Sequence, residues 1–166
     1  PVISWSNPSA ITYPTALSGT QLNATSGGVA GVFTYVPPSG TVLNAGTNTL
    51  IVNFVPTDGT NYNTVNGTSV SIVVNKATAT INVTGLAQFY DGNPKPVTVT
   101  TTPAGLDVIT ITYDGSGTAP TAIGSYTVVV TLTNTNYTAT PGGGTLVISA
   151  SVADVTLTDL VQTYTG

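Results

Sequence analysis

Apolar and polar residues alternate along much of the chain with a period of two. In the stretch 126–132 every even-numbered residue is large and apolar, and two of the three odd-numbered residues are threonine. This period is typical of half-buried strands and differs from the 3.6-residue period of a helix. Further stretches of this kind lie at 69–75, 78–84, 96–102, 107–113 and 144–149. The pattern therefore predicts an all-β chain.

Turn-forming residue pairs separate these stretches: Asp-Gly, Pro-Pro, Asn-Pro and Pro-Gly. Turn signals every 8 to 12 residues, with about seven short strands in roughly 75 residues, are typical of an immunoglobulin-like sandwich. We therefore expect tandem immunoglobulin-like β-sandwiches. The pattern leaves the order of strands within each sheet open.

Internal repetition supports a tandem arrangement. The segment Gly85–Gly92 recurs as Asp159–Gly166, 74 residues later, and Ala45–Phe54 aligns without a gap with Ile123–Leu132. The triplet Thr60-Asn61-Tyr62 matches Thr135-Asn136-Tyr137 if the first copy carries a three-residue insertion. We predict one module at 1–75, a second at 76–149, and the first strands of a truncated third at 150–166.

The connection between the first two modules contains neither glycine nor proline from residue 70 to residue 81. A strand that runs directly into the next module predicts a stiff connection. A module of about 75 residues is marginally stable alone, so the expected partners are neighbouring repeats of the same chain.

Several short segments together carry a family resemblance: Ile3–Pro8, Leu43–Thr47, Thr60–Tyr62, Val74–Ala77, Tyr90–Gly92 and Ala122–Tyr126. With these segments the chain resembles the bacterial Ig-like MBG or YDG domains, which occur in tandem in large secreted and surface proteins. Tyr13-Pro14-Thr15 and Tyr164-Thr165-Gly166 depart from the Tyr-Asp-Gly signature. The resemblance implies a stalk or spacer and supplies no catalytic residues.

Composition narrows the chemistry that the chain can perform. Only 5% of its residues are charged, the net charge is −4, and Cys, His, Glu and Arg are all lacking. Thiolate and imidazole nucleophiles and Cys/His zinc sites are excluded, and two lysines are too few for a nucleic-acid partner. No apolar run approaches the roughly 20 residues of a membrane span. We expect no enzyme, no catalytic residue and no cofactor.

One loop is a candidate calcium site. Asp58, Asn61 and Asn63 place several oxygen ligands close together in the sequence, with a single negative charge. The alternative is a loop held by its own asparagine side chains. Asp91 and Asp114 each stand between Tyr and Gly, so a hairpin or Asx turn is preferred there over calcium binding.

Lysines and threonines suggest two further hypotheses. Lys76 or Lys95 could form an isopeptide bond with Asn or Asp, although the alternative is that both are solvated at boundaries and turns. Threonine arrays such as 98–102 invite an ice-binding hypothesis, but sheet twist disfavours a flat hydroxyl lattice. The four Asn-x-Thr sequons, at Asn23, Asn66, Asn82 and Asn136, match the number expected by chance.

Aromatic residues leave a binding function open. Exposed tyrosines could stack on sugars, whereas Tyr62, Tyr137, Tyr90 and Tyr164 fit packing at strand ends or junctions, and Trp5 fits a core or junction position. We expect a stiff structural repeat at a bacterial cell surface or outside the cell, as a stalk, spacer or fibre. Low charge permits lateral self-association into fibres. The alternative is a carbohydrate- or protein-binding adhesin module.

Overall fold

The computed structural model describes residues 1–106, 109–152 and 164, and all regular structure in that part of the chain is β-strand. The strands are β1 (Ile11–Thr12), β2 (Gly31–Val36), β3 (Gly46–Pro56), β4 (Val65–Asn75), β5 (Ala77–Thr78), β6 (Thr80–Thr84), β7 (Ala87–Phe89), β8 (Thr98–Thr102), β9 (Ile109–Tyr113), β10 (Gly124–Leu132), β11 (Tyr137–Thr138) and β12 (Gly142–Ser149). The prediction of an all-β chain is confirmed. In the described part of the chain, no helix has the length and apolar character of a membrane span.

The chain divides into two compact units, and the first contains Pro1–Thr80 together with described residues of the segments 101–109 and 132–140. Its main sheet has the order β1-β4-β3-β2. Strand β1 runs parallel to β4, and the other neighbours are antiparallel. A two-stranded sheet of β5 and β11, also parallel, belongs to the same unit.

The core of the first unit follows from the alternation of apolar residues. Leu50 on β3 pairs with Val70 on β4, and both side chains are buried on the same face of the sheet. Residues from other strands and loops complete the cluster: Leu17, Leu22 and Ile72, with Trp5, Ile11, Tyr35 and Leu43 packed against it. Phe54 and Phe33 lie opposite each other on β3 and β2, with ring centroids 4.6 Å apart.

The second unit contains the segments 81–100 and 110–131 and the described residues from Pro141 onward. Its four-stranded sheet has the order β7-β12-β10-β9, with β7 parallel to β12 and β12 antiparallel to β10. The even-numbered residues Val128 and Val130 are buried, as the alternation predicts, together with Leu146 and Ile148 of β12. A separate two-stranded sheet joins β6 and β8.

Both four-stranded sheets therefore have one order, in which a short early strand pairs in parallel with the last strand. In each unit a tyrosine at the edge of the sheet also accepts a backbone hydrogen bond. The Tyr35 hydroxyl accepts from the Ala24 amide at 3.0 Å, and the Tyr113 hydroxyl accepts from the buried Val97 amide at 3.0 Å.

Two details of the predicted strands are wrong. The stretch 78–84 is not one strand, because the chain changes partner at Ala79: β5 pairs with β11, and β6 pairs with β8. The first 75 residues form four strands instead of the expected number of about seven. Isolated bridges, Ser4 to Thr25 and Ala16 to Val42, occupy the loops between them.

The predicted modules 1–75 and 76–149 remain predictions drawn from the sequence repeats. The predicted third module, 150–166, lies almost entirely outside the described residues.

Candidate functional site

The side chain of Asn136 joins segments of the first unit that are far apart in sequence. Its Oδ1 accepts a hydrogen bond from the Ala45 amide at 2.8 Å, and its Nδ2 donates to Asn44 Oδ1 at 3.0 Å. Both ends of this partly buried amide are thus paired with groups about 90 residues away. We refer to Asn44, Ala45, Lys76, Asn134 and Asn136 as the Asn136 cluster.

A local turn holds Asn136 in place. Oδ1 of Asn134 accepts hydrogen bonds from the amides of Asn136, at 2.8 Å, and of Tyr137, at 3.0 Å. This is an Asx turn, in which a side-chain carbonyl replaces a backbone acceptor. The turn fixes the backbone from which the Asn136 side chain projects.

The backbone on either side of Asn136 pairs with the chain that follows β4. The Asn136 carbonyl accepts from the Ala77 amide at 2.9 Å, and the Thr138 carbonyl accepts from the Ala79 amide at 2.8 Å. The ammonium group of Lys76 donates to the Asn134 carbonyl at 2.6 Å. The two backbone bonds belong to the parallel pairing of β5 with β11, and the Lys76 bond lies beside it.

An aromatic contact lies next to these hydrogen bonds. The ring of Tyr137 meets the ring of Tyr13 edge to face, with centroids 5.4 Å apart and an interplanar angle of 78°. Tyr13 is itself held by its amide, which donates to the Asn75 carbonyl at 3.0 Å. Such edge-to-face pairs stabilise a contact by about 0.5 to 1.5 kcal/mol beyond the area they bury.

The Asn136 cluster is suited to holding segments together. It contains neutral amides and one ammonium group, so it offers neither a nucleophile nor an acid–base pair. The predicted module boundary, between residues 75 and 76, passes through it. The cluster therefore joins residues from both sides of that boundary.

The predicted calcium loop is organised by its own hydrogen bonds. Asp58 Oδ1 accepts from the amides of Thr60 and Asn61, each at 3.1 Å, and Oδ2 accepts from Asn61 Nδ2 at 2.7 Å. The Asn61 side chain and these amides hold the pKa of Asp58 below its ordinary value of 3.8. The structure brings Asp58 and Asn61 together and shows no hydrogen bond from Asn63 to either. Calcium binding here stays a prediction.

Asp91 forms a turn and an ion pair. Its Oδ1 accepts from the Asn93 amide at 2.9 Å, and its Oδ2 lies 2.7 Å from Nζ of Lys95. The Lys95 ammonium, followed by the Asn93 amide, lowers the pKa of Asp91. The side chain of Lys95 is only 11% exposed, so its prediction as a solvated lysine is wrong. The ion pair holds together the loop that carries Asp91 and Lys95. Gln88 holds the same loop, because its Nε2 donates a hydrogen bond to the Pro96 carbonyl.

Asp114 and Gly115 form the hairpin turn that the sequence predicts. Both residues have positive φ angles, 48° and 85°, and Tyr113 pairs with Ser116 across the turn. Positive φ at both central positions is the requirement of a type I′ turn. The Asp114 carboxylate also accepts from the Thr127 amide at 2.7 Å, which anchors the turn to β10.

The aromatic residues separate into buried and exposed sets. Trp5 packs edge to face on Tyr35, and its Nε1 donates to the Gln21 carbonyl at 3.1 Å, so it contributes to the core of the first unit. One side of Trp5 lines a shallow depression of about 260 Å³ with Ser4, Ser6, Asn23 and Thr25. Tyr62, Phe89 and Tyr90 are between 42% and 64% exposed.

Sequence reasoning missed the roles of Asn136, Tyr35 and Tyr113. The repeated Thr-Asn-Tyr triplet was a signal for Asn136, but its contacts to Asn44 and Ala45 cross about 90 residues of chain. Tyr35 and Tyr113 precede their aligned segments, Ala45–Phe54 and Ile123–Leu132, by equal distances. That equal spacing could have identified them as a matched pair.

The fold and the cluster define the class: an all-β protein in which no three His, Cys, Asp or Glu residues of the described ranges gather into a possible metal site. Residues 79–152 match the family model of the MBG domain. For this segment the match confirms the resemblance to MBG domains that the sequence predicts. No curated protein matches the chain.

Proposed function

We propose that the chain is a pair of tandem immunoglobulin-like β-sandwiches that forms a stiff extracellular stalk, spacer or fibre of a large bacterial surface protein. The Asn136 cluster carries this proposal, because it ties residues on both sides of the predicted module boundary with side-chain and backbone hydrogen bonds. Hydrogen bonds made in both directions by one side chain restrict bending more than an exposed ion pair would.

The common strand order of the two sheets supports tandem sandwiches. Equivalent hydrogen bonds close both: the Tyr13 amide donates to the Asn75 carbonyl, and the Tyr90 amide donates to the Ser149 carbonyl. Tyr13 and Tyr90 occupy the same place in the predicted repeat. The MBG match covers the second of the proposed sandwiches.

The remaining parts of the proposal follow from the chemistry of the chain. A structural role needs no enzyme activity and no resident cofactor. Its partners are neighbouring repeats, with lateral association into fibres favoured by a surface on which threonine supplies polarity and only 5% of residues are charged. A location outside the cell or at its surface suits a chain with only two lysines.

Small-angle X-ray scattering tests the proposal. Two stiffly joined sandwiches, each about 35 to 40 Å long by strand geometry, predict a rod of roughly 70 to 80 Å. The variant Asn136→Ala removes the side-chain bonds and is expected to broaden the distribution of distances. Asn66→Ala, at an exposed asparagine of β4 outside the Asn136 cluster, is the matched control. A parent chain as flexible as Asn136→Ala would contradict the proposal.

One observation favours the second candidate function, a carbohydrate-binding adhesin module. The depression beside Trp5 combines an aromatic ring with hydroxyl and amide side chains, which is the chemistry of sugar recognition. A glycan array compares the parent with Asn23→Ala. Reproducible binding at millimolar or lower concentration that Asn23→Ala abolishes would favour this candidate over the spacer.

A further inference from the structure

The chain contains one Asn-Gly pair, Asn66-Gly67, near the start of β4. The side-chain amide of an asparagine can be attacked by the backbone nitrogen of the residue that follows it. Glycine hinders this attack least, because it has no Cβ beside the five-membered ring that forms. Every other asparagine of the chain precedes a larger residue. Residue type therefore singles out Asn66 for this reaction.

A β-bulge holds the pair outside the regular ladder of β3 and β4. The register of the two strands shifts between Val52 and Phe54 on β3. As a result, Asn66 and Gly67 together lie opposite the single residue Asn53. Gly67 has a φ of 75°, a conformation that favours glycine and departs from an extended strand.

The space around the pair is open. Asn66 and Gly67 are both exposed. A Cβ built on Gly67 would meet no atom within 4 Å, so no neighbouring group fills the space beside the nitrogen. Water and the side chain of Asn66 can therefore reach the peptide bond between the two residues.

The side chain of Asn53 holds the nitrogen that would attack. The Gly67 amide donates a hydrogen bond to Asn53 Oδ1 at 2.8 Å. Attack requires the Gly67 nitrogen to lose its proton and to approach Cγ of Asn66. A hydrogen bond from this N–H to a carbonyl oxygen stabilises the protonated amide and opposes both changes. Asn53 thus supplies the bond that slows the reaction.

We propose that Asn66 is a deamidation site and that Asn53 sets its rate. The Gly67 nitrogen loses its proton to hydroxide and forms a bond to Cγ of Asn66. The bond between Cγ and Nδ2 breaks, and Nδ2 takes up a proton and leaves as ammonia. Water then adds to either carbonyl of the resulting succinimide and breaks its bond to the ring nitrogen. The product at position 66 is aspartate or isoaspartate, and each adds one negative charge to a chain whose net charge is −4.

Incubation of the whole chain at mildly alkaline pH tests the site. Ion-exchange chromatography separates the more acidic product, and mass spectrometry of the peptide that covers 62–70 locates the change. The Asp-Gly pairs of the chain can form the same ring, but its opening returns a carboxylate and leaves the charge unchanged. Asn66→Gln should remove the first acidic product, because its longer side chain would have to close a larger ring. An acidic product that forms in Asn66→Gln at the parent rate would overturn the site.

Two variants of Asn53 test its role as a positioning residue. Asn53→Ala removes the acceptor and should speed the formation of the acidic product by about fivefold, the factor that one neutral hydrogen bond supplies. Asn53→Asp keeps an oxygen in the same place and should not exceed the parent rate. Equal rates in the parent and in Asn53→Ala would overturn this role.

Ile72→Val separates the role of Asn53 from a general loss of stability. Ile72 is a buried residue of β4 outside the bulge. Removing one methylene there should lower the Tm about as much as the loss of one hydrogen bond does. We expect Ile72→Val to deamidate at the parent rate. If the rates of Ile72→Val and Asn53→Ala rise equally, the reaction proceeds from the unfolded chain and the role of Asn53 is overturned.

Discussion

The two four-stranded sheets share one strand order but fill their cores with different residues. In the first, Leu50, Val70 and Phe54 are buried, and the rings of Phe33, Tyr35 and Trp5 pack around them. In the second, β12 begins with the glycines 142–144, and side chains from elsewhere closely approach Gly142 and Gly144, which share a face. A Cβ on Gly142 would lie 2.8 Å from Ile81 Cγ2, and one on Gly144 would lie 2.7 Å from Leu86 Cδ1.

This difference shows that the alternation along a strand determines which positions are buried but does not determine how large the residue at each position is. Val70 pairs with Leu50 in the first sheet, and Gly144 pairs with Val128, the residue aligned with Leu50, in the second. The volume lost at that strand position is supplied by Leu86, which packs over the glycine. Interiors are close-packed, so a smaller residue on one strand requires a larger contribution from another.

The largest expected effect comes from truncating one aligned core position in each sheet. Leu50→Ala should destabilise the chain by about 3 to 4 kcal/mol, and Val128→Ala by about 2 kcal/mol, because leucine leaves the larger cavity. Both residues are at most 2% exposed, so burial does not explain the difference. Urea unfolding followed by tyrosine fluorescence measures both; equal losses would show that residue size does not distinguish the two cores.

The next effect concerns backbone spacing. Gly143→Ala should destabilise by about 3 kcal/mol, because the new methyl group collides with the Val128 carbonyl oxygen on β10, which is backbone and cannot rotate away. Ser69→Ala, at the aligned position of β4, should stay within about 0.5 kcal/mol. Calorimetry on both variants checks this, and a neutral Gly143→Ala would refute close approach of β10 and β12.

A smaller loss of stability is expected from removing the hydroxyl groups of Tyr35 and Tyr113, each of which accepts a backbone hydrogen bond. Tyr113→Phe leaves the buried Val97 amide without its acceptor and should cost about 2 kcal/mol, whereas Tyr35→Phe, whose Ala24 bond is only partly buried, should cost about 1 kcal/mol. Hydrogen exchange at Val97 and Ala24 locates each loss. The reverse order of effects would argue that burial does not set the strength of these bonds.

The smallest effect is pH dependence. The pKa values of Asp58 in the first unit and Asp91 in the second both lie below 3.8, so the unfolded chain takes up their protons first as pH falls. Their stabilisation is complete above about pH 5 and is lost as pH drops through 3.8 towards the lowered values. The Tm should be constant from about pH 5 to 8 and fall in acid. Asp58→Asn with Asp91→Asn should weaken that fall; an unchanged acid limb would contradict the role of these carboxylates.

Sequence patterns over a few adjacent residues predicted the strands and turns whose geometry depends only on neighbouring positions. The two-residue period located β10, and the Asp-Gly pair located the turn at Asp114, because strand alternation and turn geometry depend on adjacent positions. The repeated Thr-Asn-Tyr triplet marked the turn that carries Asn136, but the triplet itself gave no sign of the distant groups that Asn136 bonds.

Contacts between distant segments could not be predicted in this way. The ion pair that buries Lys95 depends on how its loop folds back, and the break in the stretch 78–84 depends on where β11 and β8 lie. Asn136 bonds to the Ala45 amide, 91 residues away in sequence, and this pairing depends on how distant segments come together in the fold. Period and composition carry no information on such pairings.

The parallel pairing of an early strand with the last strand has a mechanical consequence. Tension applied to the start of β1 and the end of β4, or to the start of β7 and the end of β12, pulls the two paired strands past each other along their common direction. The hydrogen bonds between each pair are then loaded in shear and must yield together, whereas a hairpin pulled open from its end loses them one at a time. Each four-stranded sheet thus contains one parallel pair that resists a pull along its strands by shear.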